Sequence, residues 1–180
     1  MAKSKIRFVV SLDTYLSILA VVSSFCAIGI TFYQAYLQRA QQYASVMPVL
    51  DIYHTGRFED DIPASAITVA NFGLGPAFID SVHYYYGKKR YPDMYSLVKD
   101  VLAEDHIGDS TLTVSDLWKD KVIPQGETIY LYKTTNSRAV RHLYRQNDSI
   151  ATVIYYRSIY GEQWVIDPRN AKEARNRKLD

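Results

Sequence analysis

Six basic residues offer the most definite chemistry in this chain. Lys88, Lys89 and Arg90 follow Gly87 on a turn, and Arg138, Arg141 and Arg145 recur at i, i+3 and i+7, the spacing that gathers side chains on one helix face. Guanidinium forks bind phosphate bidentately, and Tyr84, Tyr86, Tyr91 and Tyr144 supply rings that can stack on a ligand. If the two clusters meet, they suit an anionic small ligand such as a nucleotide second messenger, or a lipid head group. The competing reading is two solvated basic segments, with Asp93, Asp100, Glu104 and Asp105 neutralising part of their field.

Other chemistry is sparser. His54, His83, His106 and His142 have no paired metal spacing, so neither a metal nor a cofactor is expected. Asp51, His54 and the run Glu59, Asp60, Asp61 could form a carboxylate-rich acid/base or metal site, but such a run also reads as a solvated loop. The serines lack a nucleophile-elbow context, and the expectation is a protein without catalysis of its own. Asn71-x-Gly73-x-Gly75-Pro76-Ala77 has the glycines of a phosphate loop, but a strand follows where such a loop needs a helix. Gly73 and Gly75 are therefore expected to supply positive φ in a tight connection, with Pro76 starting the next strand.

The elements that must position these residues begin with an anchor. Residues 14–38 carry no formal charge, and the apolar centre at 15–33 approaches the roughly 20 helical residues that span a bilayer core of about 30 Å. The run exceeds a signal peptide's apolar region, and residues 34–43 continue helically instead of ending at a small-residue cleavage site. Tyr15 at one end and Phe32, Tyr33 and Tyr36 at the other fit an interfacial aromatic belt. Lys3, Lys5 and Arg7 precede the span and Arg39 follows it, which favours a cytoplasmic amino terminus and an external carboxyl domain. Two small-xxx-small pairs, Ala20/Ser24 and Ser23/Ala27, fit self-association into a homo-oligomer, although such pairs also arise by chance. The only cysteine, Cys26, lies inside the span, so no disulfide forms within the chain.

The remainder divides into a basic tail at 1–13, the transmembrane helix at 14–38, a juxtamembrane helix or linker at 39–47, one β domain at 48–167 and a basic tail at 168–180. Strands are expected at 49–54, 65–71, 77–86, 128–132, 150–159 and 162–167, with 112–118 ambiguous, a turn at 122–126 and the strands at 65–71 and 77–86 joined as a hairpin. Helices are expected at 94–104 and 137–145, the second capped by Ser137. The tail at 168–180 reads as a frayed helix or a disordered end. The fold class is mainly β: a transmembrane helix, then a small antiparallel β-sandwich with two short helices. Sixteen tyrosines suit half-buried pleated surfaces and contact surfaces, and a net charge of +2 implies no nucleic-acid polymer as partner.

Leu37-Gln-Arg39 leading to Val46-x-Pro48-x-Leu50-x-Ile52, then the Asn71 to Ala77 motif, Ile123-Pro-x-Gly126-Glu127 and Ile159-Tyr-Gly161-Glu162, resembles a group of bacterial membrane proteins. They have one amino-terminal anchor and an immunoglobulin-like sandwich of unassigned function. Where that group has a His-Asn pair, this chain has Gln41-Gln42. The resemblance implies single-pass anchoring in the bacterial plasma membrane, with no activity attached. Two functions follow as expectations. One is a non-enzymatic binding protein whose β domain recognises a protein partner or small ligand. The other is an antiphage membrane effector in which a cytoplasmic β domain senses a nucleotide and oligomerised anchors disrupt the bilayer.

Overall fold

The computed structural model describes residues 11–57, 63–170 and 176–179. Lys3, Lys5, Arg7 and the acidic run at 59–61 lie outside them. The chain forms two units, Met1–Ala44 and Ser45–Asp180.

Helix α1, Leu12–Ser45, is long and apolar enough to cross a membrane. Every residue of α1 is exposed, so no protein core accounts for its apolar surface. The helix runs unbroken past residue 38, as the sequence at 34–43 implies, and stops three residues before Pro48.

The second unit carries ten strands among the described residues: β1 Leu50–Arg57, β2 Pro63–Asn71, β3 Ala77–Tyr86, β4 Lys89–Tyr91, β5 Thr113–Val114, β6 Val122–Ile123, β7 Thr128–Thr134, β8 Ile150–Arg157, β9 Gln163–Ile166 and β10 Asn176–Lys178. Helix α2, Met94–Ala103, separates β4 from β5, and α3, Ser137–Arg145, separates β7 from β8. All pairings are antiparallel. One sheet has the order β1-β2-β7-β5; the other has β10-β9-β8-β3-β4, with β6 on the amino-terminal end of β3. Helix and strand each take 35% of the described residues, so the expectation of a mainly β chain holds for the second unit alone.

One hydrophobic cluster joins the sheets and helices. Ile52, Ile67 and Leu131 enter it from the first sheet, Ile79, Ile150 and Ile154 from the second, and Leu97, Val98, Val101 and Leu143 from the helices. Strand β2 is buried on both faces after Pro63. Ile67 and Val69 face the cluster, while the alternate positions Ala64, Ala66 and Ala70 are small, which lets α3 pack against this strand. In β7 the register slips opposite Ile67/Thr68, and this bulge explains why the consecutive residues Leu131 and Tyr132 are both buried.

Three expectations need correction. Strands β2 and β3 are not a hairpin, because β2 lies between β1 and β7 while β3 lies in the other sheet. The glycines between them are not at positive φ; Gly87, Gly126 and Gly161 are. Gly73 and Gly75 instead give way to backbone: a Cβ would lie 2.3 Å from Val49 N and 1.8 Å from Val46 O. Asn71, fully buried, holds this crossing. Its Nδ2 donates to Gly75 O (2.8 Å) and Ile123 O (2.9 Å), while its Oδ1 accepts from Gly73 N (3.0 Å) and Val49 N (3.3 Å). Finally, the basic tail contributes β10 on β9, where Asn176 accepts from Tyr156 OH (2.7 Å) and donates to Leu50 O (3.1 Å). A strand anchored by a carboxamide has no apolar alternation to betray it.

Buried tyrosines fasten the interior. Tyr84 accepts from Leu117 N (3.3 Å), and Tyr132 shares a hydrogen bond with Ser65 Oγ (3.0 Å). Burial pushes both phenols up to about 12, with these hydrogen bonds acting in the opposite direction.

The crossing yields the first prediction. Gly75→Ala forces a methyl into the Val46 carbonyl, and Asn71→Asp strips both donors and buries a carboxylate; each is expected to cost about 3 kcal/mol or more, read as a lowered denaturant midpoint. The tyrosines yield the second. A phenol raised from 10.0 to about 12 contributes stability that is complete below pH 10 and is lost as pH rises through about 12. At about 1.4 kcal/mol per unit this amounts to roughly 3 kcal/mol per tyrosine. Denaturant titrations across that window should show the loss, and Tyr84→Phe or Tyr132→Phe should flatten it.

Candidate functional site

Helix α3 is set in place from its amino end. Asn136 caps it, its Oδ1 accepting from Arg138 N (3.0 Å) and Ala139 N (3.3 Å), so the cap falls one residue before the expected Ser137. Asn136 N in turn donates to Thr111 Oγ1 (3.1 Å), which also bonds Thr134 Oγ1 (2.9 Å). Thr134 donates to Asp109 as well, so the loop before β5 locks the end of β7 to the start of α3.

The inner face of α3 carries Ala139, His142 and Leu143, and the outer face carries Arg138, Arg141 and Arg145, all exposed. His142 is 7% exposed and links two helices. Its Nε2 lies 2.9 Å from Val101 O in the last turn of α2, where helix carbonyls lack intrahelical donors. Its Nδ1 lies 2.8 Å from Asp105 Oδ2. His142 thereby fixes α3 against the end of α2 and defines a cleft of about 480 Å³ that includes Glu104, Asp105, His106 and all three arginines.

The acids in and near this cleft have partners other than the arginines. Asp93 caps α2, accepting from Ser96 N (2.6 Å). Asp100 accepts from Lys89 Nζ (2.8 Å) and Tyr91 OH (3.1 Å). The hydrogen bond from Lys89 holds the Asp100 carboxyl below its ordinary value, and its counterpart raises the Lys89 amine. Glu104 accepts from Tyr86 OH (3.0 Å), and Asp105 faces His142. Among the described residues, no carboxylate lies within ion-pair distance of Arg138, Arg141 or Arg145. Arg141 Nε donates only to Ser137 O (3.2 Å).

The two basic clusters therefore differ in kind. Lys89 and Arg90 belong to strand β4, not to the turn, which contains Gly87 and Lys88. Lys89 is paired with Asp100, and Arg90 Nη2 contacts His83 Nδ1 at 2.7 Å. Partial burial, then the charge of Arg90, lowers the His83 pKa, which suits a neutral ring accepting from the guanidinium. None of Lys88, Lys89 and Arg90 lines the α3 cleft. Of the aromatic partners, Tyr84 and Tyr91 are buried and cannot stack on a ligand, whereas Tyr144 is 73% exposed on α3. It borders a second hollow with Arg141, Arg145 and Ala64.

His54 lies exposed on β1, and Asp51 Oδ1 accepts from Ile52 N (2.9 Å). On α1, Ala20, Ser23, Ser24 and Ala27 are all exposed; Ser24 and Ala27 border a shallow apolar hollow with Ile28 and Phe32. The sequence reading missed His142 as the clamp between helices. Its signal was present, since Ala139, His142 and Leu143 occupy i, i+3 and i+4, the inward stripe of this helix.

His142→Leu, which removes the ring's contacts with the Val101 carbonyl and Asp105, is expected to lower stability by about 2 kcal/mol, whereas Arg141→Ala should stay within about 0.5 kcal/mol, both by chemical denaturation. No protein family, curated protein or solved structure matches this chain.

Proposed function

We propose that this chain is a membrane-anchored, non-enzymatic binding protein whose β domain, a sandwich of its two sheets, holds a small phosphate-bearing anion on the arginine face of α3. The observation that carries the reading is the triad Arg138, Arg141 and Arg145 on one cleft, none of them in ion-pair contact with a carboxylate among the described residues, while the two acids of the same cleft, Glu104 and Asp105, lie against Tyr86 and His142. Three guanidinium groups on a helix clamped by a buried histidine form a preorganised anion receptor, and a bidentate fork recognises phosphate better than a mobile ammonium does. The sandwich reading rests on the hydrophobic cluster shared by both sheets. The anchoring reading rests on the length, apolarity and exposure of α1. Oligomerisation through Ala20/Ser24 or Ser23/Ala27 belongs to the same proposal, as does an amino terminus in the cytoplasm.

The test titrates the full-length chain in detergent with inorganic pyrophosphate and, separately, with vesicles containing anionic lipid. Replacing Arg138, Arg141 and Arg145 together by Ala should weaken pyrophosphate binding about tenfold or more and reduce its salt dependence, with the fold intact by circular dichroism. Unchanged binding would remove the arginine face as the site. Binding of vesicles alone would assign it to lipid head groups. A compartment-specific reporter fused after residue 180 checks the orientation independently: activity outside the cytoplasm supports the proposed topology, and activity inside reverses it and favours a cytoplasmic nucleotide sensor.

A further inference from the structure

Among the described residues of the second unit, the exposed large apolar side chains other than tyrosine are Phe72, Leu74, Trp118, Val122 and Ile159. They occupy three places: the crossing loop before β3, the turn that leads through Trp118 into β6, and the turn after β8. These places adjoin one another. Phe78, the second residue of β3, pairs with Val122 of β6 and with Arg157 at the end of β8, and Lys121 N donates to Trp118 O (3.2 Å) just before β6. The apolar residues therefore share one end of the second sheet.

That end is also where the chain enters the β domain. Gly73 and Gly75 lie against the backbone of residues 46–49, and the alternate positions Phe72 and Leu74 are left exposed. Phe72 N donates to Val49 O (2.9 Å) and Leu74 N to Met47 O (3.0 Å), so both are fixed within a few residues of Ser45, where α1 ends. A helix rises about 10 Å between residues 38 and 45. A headgroup layer is about 5–8 Å deep, so the chain leaves α1 within side-chain reach of that layer, and any tilt of the helix brings it nearer. Exposed apolar area gathered in one place marks a surface that something else covers. Lys121 Nζ lies 4.3 Å over the Trp118 ring, an indole with a cation above it, which suits a layer that is apolar below and wet above.

We propose that this end of the β domain is a lipid-contact surface, with Phe72, Leu74, Trp118 and Ile159 entering the headgroup layer of the bilayer that anchors α1. The inference rests on the anchoring of α1. It is independent of anion binding, because the hollow beside Arg141, Tyr144 and Arg145 includes Gly56 and Ala64, at the other ends of β1 and β2 from Leu50 and Asn71. Apolar area drives the contact, so neutral lipid suffices.

The test places single nitroxide labels on the full-length chain in phosphatidylcholine nanodiscs. It compares collisions with oxygen, which concentrates in the bilayer, and with a water-soluble nickel chelate. Cys26, the only cysteine, reports on the anchor. In a Cys26→Ser background, Phe72→Cys, Leu74→Cys and Ile159→Cys report on the proposed surface and Tyr144→Cys on α3. Each replaced side chain is exposed, so the fold is expected to hold. Oxygen should dominate at residues 26, 72, 74 and 159, and nickel at residue 144. Nickel dominating at 72, 74 and 159 with oxygen at 26 overturns the lipid contact and leaves the anchor in place. Nickel dominating at 26 overturns the anchoring itself, and the contact with it. Loop labels shielded from both reagents overturn the proposal in favour of a protein partner or a second copy. A native side chain decides without any label: lipid brominated near its headgroup should quench Trp118 emission, a component that Trp118→Phe removes, and the absence of that component overturns the proposal.

Discussion

The carboxamide of Asn71 uses all of its hydrogen-bonding capacity inside the protein, and the passage of the chain from one sheet to the other depends on it. It holds the carbonyls of Gly75 and Ile123 and the amides of Gly73 and Val49, so the crossing loop, the lead into β1 and strand β6 share one hub. The backbone of the same residue donates to Glu127 O (3.1 Å) and accepts from Gly126 N (2.9 Å), bringing the approach to β7 to the same point. Segments far apart in sequence thus converge on one buried side chain. The two glycines follow from that convergence, because only a residue without a Cβ lets the crossing lie against the backbone of residues 46–49. The Asn-x-Gly-x-Gly pattern is therefore a packing device between sheets, which the local vocabulary of hairpins and phosphate loops does not contain.

Much of the second unit was legible because its longer elements obey simple periods. Strand β3 has the expected bounds, the closing pair β8 and β9 is a hairpin turned at Gly161, and α2 buries Leu97, Val98, Val101 and Leu102 at helical spacing. The two-residue strands β5 and β6 were not legible, since two residues carry no alternation. Strand β10 was hidden for a different reason: its inward contact is Asn176, bonded to Tyr156 and Leu50, so hydropathy sees only a basic tail. The crossing from β2 to β3 was misread because adjacent strands in sequence are ordinarily adjacent in space, and the exception is enforced by a side chain whose partners lie up to 52 residues away.

The same limit governed the candidate site. The helical spacing of Arg138, Arg141 and Arg145 was enough to place them on one face. Whether their field is neutralised depends on where Asp100, Glu104 and Asp105 point, and that is a tertiary matter. Sequence proximity made these acids look like partners for every basic residue nearby. In space, Asp100 answers Lys89 across from β4, Tyr86 takes Glu104, and His142 takes Asp105. The outcome is that Lys89 has an ion-pair partner, while none of the three α3 arginines has one among the described residues.

His142 shows how the packing of α3 is tied to the face its arginines present. Asp105 lines the cleft beside the arginines, yet its carboxylate lies against His142 and not against any of them. Held by the imidazole, it becomes part of the clamp that joins α3 to α2. Surface ion pairs of the Lys89–Asp100 kind are worth little because water screens both partners. The contact of His142 with Asp105 differs, since packing sets the position of the buried ring. The placement of the α3 face is thus decided from inside the protein, by one side chain on the helix's buried stripe.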